Sequence, residues 1–95
     1  SAGPKPILTS EILARGDPAD ATILSVRTLG SFLDVRPMVR FVLLVTADPD
    51  DEPFELEVVQ SLPRGVAKQF RTGESVEIRL TPDRSAGAVL WGGWG

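Results

Sequence analysis

The chain has 95 residues, of which 42% are hydrophobic and 24% charged, and its formal net charge is -3. This length and composition predict one domain with a single core. The chain contains no cysteine and no histidine, which excludes disulfides, thiolate metal sites and catalysis by a Ser-His pair.

Residues 1–16 are predicted to form an N-terminal segment with a short helix. Thr9 or Ser10 can cap a helix through residues 11–14, because both side chains accept hydrogen bonds from a first helical turn. Gly16 is expected to end that helix.

The first predicted strand follows a turn. Asp17-Pro18 is typical of a turn, and the β-forming residues over 20–29 predict a strand with Leu24 and Val26 on the same face. Residues 30–37 then connect it to the next strand.

Two further strands form a predicted hairpin. Residues 38–47 are the most apolar stretch of the chain, and residues 54–60 alternate between apolar and acidic side chains. The acidic, proline-flanked stretch 48–53 is the turn between them. We expect the exposed glutamates of the second strand to pair across strands with Arg40 or Arg79.

A short helix and two last strands complete the pattern. Pro63 favours a helix over 63–70, with Val66 and Phe70 on its inner face. Residues 75–80 alternate as a strand, and residues 88–91 are predicted to form a short final strand.

The element order β-β-β-α-β-β predicts an all-β fold, a five-stranded OB-like barrel over residues 17–91, followed by a flexible Gly/Trp tail over 92–95. The short helix between strands 3 and 4 would plug one end of the barrel. A small two-layer β-sandwich or roll with the same strands is the alternative.

Two groups of residues are candidates for binding. A barrel face that could hold a ligand is formed by Arg27, Arg40, Arg79 and Trp91. A helix face that could hold an anion carries Arg64, Lys68 and Arg71, although such a triplet is also typical of a solvated helix face.

The carboxylates of the acidic turn could bind a cation. In combination with Glu55 and Glu57 they could also act as general acid and base in a hydrolase. The acidic residues of the turn are Asp48, Asp50, Asp51 and Glu52. They lack the ligand spacing of a calcium loop, so a solvated hairpin turn is the favoured interpretation. We therefore expect no metal, no cofactor and no catalytic residue.

The composition also argues against nucleic acid as a partner. Phosphate binding relies on clustered Lys and Arg, and single-strand binding relies on exposed aromatic side chains. The chain is acidic overall, has no tyrosine, and places most of its four phenylalanines at predicted core positions.

Five stretches share turn glycines, prolines and alternating strands, and together they cover most of residues 12–90. They are residues 14–26, 36–41, 53–58, 62–64 and 72–79. This pattern resembles a small domain of unknown function found in uncharacterised, often membrane-associated, proteins of GC-rich bacteria. The resemblance implies an OB-like barrel that accompanies transmembrane helices or other short domains, and it supplies no catalytic residue.

We interpret the chain as a non-enzymatic protein-interaction or scaffolding module, with the soluble domain of a bacterial membrane or envelope protein as one setting. The alternative is a ligand-binding module for an oligosaccharide or an anionic lipid head group. No apolar stretch reaches the roughly 18 residues that span a bilayer, so we expect membrane contact only through segments outside this chain. A bacterial cytoplasmic and an envelope-associated location both stay open.

Overall fold

The computed structural model describes residues 8–30 and 36–92, and the predictions for residues 1–7, 31–35 and 93–95 lie outside those ranges. Five antiparallel strands form a nearly closed barrel, which confirms the predicted all-β fold with one short helix between strands 3 and 4. The elements are α1 (Thr9–Arg15), β1 (Asp17–Leu29), β2 (Met38–Thr46), β3 (Phe54–Ser61), α2 (Arg64–Ala67), β4 (Ser75–Leu80) and β5 (Gly87–Val89).

The strands lie in the order β3-β2-β1-β4-β5. β1 is the longest strand and joins the two halves, because its first part pairs with β4 and most of its length pairs with β2. The predicted turn at Asp17-Pro18 is wrong, since both residues belong to β1. Pairing with β2 begins only at Asp20, so Pro18 lies where one edge of β1 needs no ladder donor.

A β-bulge at Leu24 shifts the register between β1 and β2. Before it Ile23 is fully buried, and after it Val26 packs against the core, whereas Leu24 is 39% exposed. The predicted common face for Leu24 and Val26 is therefore wrong, because the extra residue reverses the alternation of the strand.

The main core fills the barrel. Alternate residues of β2, from Val39 to Val45, are fully buried, and Ala67 and Val66 of α2 pack on this core together with Phe70 of the turn that follows. The rings of Phe41 and Phe70 meet edge to face with centroids 5.3 Å apart, a favourable aromatic geometry. The predicted plugging role of this helix agrees with these contacts.

α2 is shorter than predicted and ends at Ala67. The chain turns into β4 soon afterwards, because the carboxylate of Glu74 accepts a hydrogen bond from the backbone N–H of Arg71 at 2.7 Å. Gly73 within this turn has φ +91°, which a residue with a side chain adopts only at a cost.

α1 packs on the β4–β5 side through a second, smaller core that contains Ile12, Leu13 and Ala88. Gly16 ends the helix against β4, where an added Cβ would lie 2.9 Å from both the Cβ of Arg79 and the carbonyl oxygen of Leu80. Glycine at this position therefore permits the close approach of α1 to the barrel.

Candidate functional site

The barrel has one seam, between β3 and β5, the two strands at the ends of the strand order. Within the described residues no backbone ladder joins them. Instead, the side chain of Gln60, which is 1% exposed, bridges the seam. Its Nε2 donates to the carbonyl oxygen of Val89 at 3.0 Å, and the N–H of Val89 donates to its Oε1 at 2.7 Å.

The direction of the backbone groups of β3 follows from one hydrogen bond. The N–H of Leu62 donates to the carbonyl oxygen of Pro37 at the start of β2, and the β2–β3 register is continuous. Because backbone groups alternate along a strand, Leu56, Val58 and Gln60 direct theirs toward β2. The backbone groups that point toward the seam are those of Glu55, Glu57, Val59 and Ser61, and we call them the β3 edge.

The same reasoning orients β5. The N–H of Leu90 donates to the carbonyl oxygen of Glu77 on β4 at 3.0 Å, so the backbone groups of Val89 face the seam. The Gln60 amide therefore takes the place of a peptide group of a neighbouring strand. It supplies hydrogen-bond partners to both the N–H and the carbonyl oxygen of Val89.

The side of β1–β3 that faces away from the core, which we call the outer face, carries exposed apolar side chains beside the charged Arg27, Arg40, Glu55 and Glu57. Met38 is 43% exposed, Val59 41% and Leu24 39%. Val42 and Leu44 on β2 are half-buried and lie on the same face. Large apolar side chains grouped on one exposed sheet face are typical of a contact surface.

The β3 edge carries acidic side chains. Arg40 on β2 forms an ion pair with Glu57 at 2.8 Å. This is one of the two cross-strand partners, Arg40 or Arg79, that the sequence predicts for these glutamates. Arg84 forms another ion pair with Asp51 at 3.0 Å, which ties the β4–β5 turn to the β2–β3 hairpin. Within the described part of the chain, Glu55 makes no ion pair.

The structure divides the predicted ligand-binding residues among three places. Arg27 lies directly opposite Arg40 on the outer face. Arg79 lies on β4 and lines a surface cleft of about 430 Å³ together with Glu77. β5 ends at Val89, so Trp91 lies beyond it and not within the last strand as predicted.

Trp91 is half-buried and packs against the main core. It also lines a groove of about 350 Å³ to which α1, β2 and β3 contribute, and the guanidinium carbon of Arg36 lies 5.9 Å from its ring centroid. The groove is further lined by Thr9, Ser10, Leu13, Met38, Gln60 and Ser61. Trp94 lies outside the described residues.

The predicted anion-binding residues Arg64, Lys68 and Arg71 are all exposed. They do not share one helix face, because α2 ends at Ala67 and Arg71 belongs to the following turn. The stripe expected from helical spacing therefore does not form.

The acidic hairpin turn is held by its own backbone. Asp48 Oδ1 accepts a hydrogen bond from the N–H of Asp50 at 3.0 Å, and the carbonyl oxygen of Asp48 accepts one from the N–H of Asp51, also at 3.0 Å. Among the residues that the structure describes, no group of three or more acidic side chains is arranged to hold a metal ion.

The β4–β5 turn is a compact polar cluster that the sequence reasoning missed. Asp83 Oδ1 accepts hydrogen bonds from the hydroxyl of Thr81 at 2.7 Å and from the N–H and hydroxyl of Ser85 at 3.0 and 2.7 Å. These bonds, led by the one from Thr81, lower the pKa of Asp83 from 3.8 to about 2. The spacing Thr-x-Asp-x-Ser was the available signal, since such side chains often bond to nearby backbone.

Gln60 was also missed, although the sequence carried a signal for it. It follows Leu56 and Val58 at inward positions of an alternating strand, and a polar side chain there requires a buried partner. No buried side-chain nitrogen or oxygen of the described residues lacks a hydrogen-bond partner.

Comparisons of this chain with protein families, curated proteins and solved structures found no match. The resemblance to a small OB-like bacterial domain therefore stays a prediction, whereas the barrel itself is observed. Of the helices in the described ranges, none has the length and apolar character needed to cross a bilayer.

Proposed function

We propose that this barrel is a non-enzymatic protein-interaction or scaffolding module, and that it contacts its partner through the outer face. The observation that carries the proposal is the joint exposure of Leu24, Met38 and Val59 on the outer face of β1–β3. The soluble domain of a bacterial membrane or envelope protein remains the setting we propose for it.

A physical argument supports this choice of surface. Covering the exposed part of one large apolar side chain contributes on the order of 1 kcal/mol, so three such side chains on one face favour association.

The test is site-specific photo-crosslinking in the source cells. A photoreactive residue replaces Val59 on the outer face, and a control chain carries it at Lys68, which is exposed beyond the end of α2. We expect one discrete adduct from position 59 and none from position 68, with the partner identified by mass spectrometry and the adduct rebuilt from the two purified proteins. Absence of any specific adduct from the outer face would contradict the proposal.

A second candidate function is ligand binding in the groove beside Trp91. Its support is an aromatic ring with a guanidinium above it and hydroxyl groups of Thr9, Ser10 and Ser61 in the same groove, a combination suited to an oligosaccharide. If the ligand is instead an anionic lipid head group, the guanidinium of Arg36 supplies the positive charge that binds it in this groove.

The second candidate is tested by fluorescence in the variant Trp94→Phe, which leaves Trp91 as the single tryptophan of the chain. One arm titrates neutral hexasaccharides and the other titrates phosphatidylglycerol vesicles. A saturable emission change in one arm, lost in Arg36→Ala, supports that ligand class. No change in either arm eliminates this candidate.

A further inference from the structure

The outer face points to a specific partner, and this inference rests on the proposed function. We infer that the partner is a second copy of this chain, and that two outer faces pack against each other around a twofold axis. The charged and apolar side chains of the face are arranged so that two copies complement each other.

Rows of side chains cross β1, β2 and β3 on the outer face. In one row Arg27 of β1 lies opposite Arg40 of β2, and in another Leu44 of β2 lies opposite Glu55 of β3. Val42 lies on β2 midway between these two rows. Arg27 and Glu55 are therefore displaced from Val42 in opposite directions, each by one strand and one row.

Two of the four charged side chains named for this face have no partner within the described residues. Arg27 and Glu55 make neither an ion pair nor a side-chain hydrogen bond there, whereas Arg40 and Glu57 form an ion pair at 2.8 Å. In a twofold contact the same patch must complement itself. An unpaired cation and an unpaired anion on opposite sides of an apolar centre meet that requirement.

A twofold axis that runs diagonally over Thr22, Val42 and Val59 brings the unpaired charges together. Such an axis lies in the plane of the contact and exchanges the β1 side of the face with the β3 side. Arg27 of one copy then faces Glu55 of the other, and the symmetry repeats this contact. The strands of the two copies cross at nearly right angles, which is one of the two ways in which sheets pack face to face.

The same axis also brings apolar side chains together. Val59, which is 41% exposed, lies near the axis and meets its own copy, and Leu24, which is 39% exposed, approaches Leu44 of the second copy. Arg40 faces Glu57 of the second copy, so two arginines and two glutamates alternate in the contact. An axis that runs along β2 would instead set Arg40 against its own copy, which is unfavourable.

The size of the face predicts a reversible dimer. From Met38 to Leu44 the face extends about 20 Å at roughly 3.3 Å per residue, and three strands at about 4.8 Å spacing set its width. This is smaller than a standard stable interface, so we expect a dissociation constant of about 0.05–0.5 mM.

The experiment measures dimerisation of the whole chain by sedimentation equilibrium from about 0.01 to 2 mM, a range that brackets the expected constant. We expect Arg27→Glu and Glu55→Arg each to raise the dissociation constant at least about tenfold, because each variant sets like charges against each other twice in a dimer. The controls Lys68→Glu and Glu11→Arg make the same charge changes at exposed positions away from the outer face, and they should leave the constant unchanged.

Recombining the two outer-face variants separates specific pairing from a general effect of charge. In an equal mixture of Arg27→Glu and Glu55→Arg, a mixed dimer has opposite charges at both contacts, and the double variant has them within its own dimer. We expect both to return the dissociation constant to within about threefold of the wild-type value. Such a recovery also shows that the single variants fold.

The crosslinking experiment adds a further expected result, since Val59 lies near the axis: the adduct from position 59 consists of two copies of this chain. A wild-type chain that stays monomeric over the whole range, single variants that leave the dissociation constant unchanged, or a mixture that fails to restore it would overturn the inference. If the chain is monomeric and the adduct contains a different protein, the inference is wrong and the proposed function stands. If position 59 gives no specific adduct with any protein, the proposed function itself fails.

Discussion

Gln60 and Val89 are joined by two hydrogen bonds that cross the seam of the barrel, from the side-chain amide of one to the backbone of the other. Both residues are buried, Gln60 at 1% and Val89 at 0% exposure. A buried amide that meets both a donor and an acceptor in this way satisfies four polar groups at once. The seam is therefore fastened by a side chain, without a backbone ladder between β3 and β5 in the described residues.

The first prediction concerns this fastening. We expect Gln60→Leu to lower the free energy of unfolding by about 2–4 kcal/mol, because it leaves the buried N–H and C=O of Val89 without partners. Urea denaturation measures the change. The matched control is Gln69→Leu, in the exposed turn after α2, which should change stability by less than about 0.5 kcal/mol. Equal effects of the two substitutions would show that the bridge contributes nothing specific.

The second prediction concerns the approach of α1 to β4. Gly16→Ala places a Cβ 2.9 Å from the Cβ of Arg79 and from the oxygen of Leu80, and we expect a loss of about 1–3 kcal/mol from this overpacking. Gly65→Ala is the control, since nothing lies within 4 Å of its added Cβ and reduced freedom of the unfolded chain should stabilise by about 0.4–1 kcal/mol. Thermal unfolding distinguishes the two, and a neutral Gly16→Ala would argue against the observed packing.

The sequence predicts the strands best where alternation is uninterrupted. β4 has the predicted bounds, because its apolar and polar residues alternate and turns flank it on both sides. The prediction of β1 is less accurate, because the bulge at Leu24 depends on pairing with β2 and is not visible in the composition of β1. α2 ends early, and the bond from the N–H of Arg71 to Glu74 closes the turn that follows, a contact that helical spacing alone does not reveal.

The candidate site was harder to predict than the fold. The ion pair between Arg40 and Glu57 was expected from neighbouring strands. The separation of Arg79 and Trp91 from that pair depends on how the sheet curves and closes, which local pattern does not encode. The β3 edge likewise became visible only with the strand order, because an edge is a property of the whole sheet.

The third prediction is a pH dependence centred on Asp83. Its pKa is lowered in the folded protein from 3.8 to about 2, so the folded state binds protons less readily than the unfolded state. The stabilisation is therefore complete above the unfolded pKa and is lost as the pH falls from about 4 through 2.

Asp83→Asn should flatten the fall in unfolding free energy over this range, whereas Asp50→Asn, whose side chain makes no hydrogen bond in the described part of the chain, should not. Urea titrations at pH 5, 3 and 2 supply the measurement. If the wild type and Asp83→Asn change in parallel between pH 5 and 2, the cluster formed with Thr81 and Ser85 does not stabilise the carboxylate.

The central claim is that a side-chain bridge, and not a backbone ladder, joins β3 to β5, and amide hydrogen exchange along β3 in the free protein tests it most directly. The backbone groups of Leu56 and Val58 face β2, while those of Glu55, Glu57 and Val59 face the seam. We expect exchange to alternate along the strand, with Leu56 and Val58 slower by at least about a hundredfold. Uniformly slow exchange from Glu55 to Val59 at low protein concentration would mean that a backbone ladder closes the barrel, and it would contradict the account.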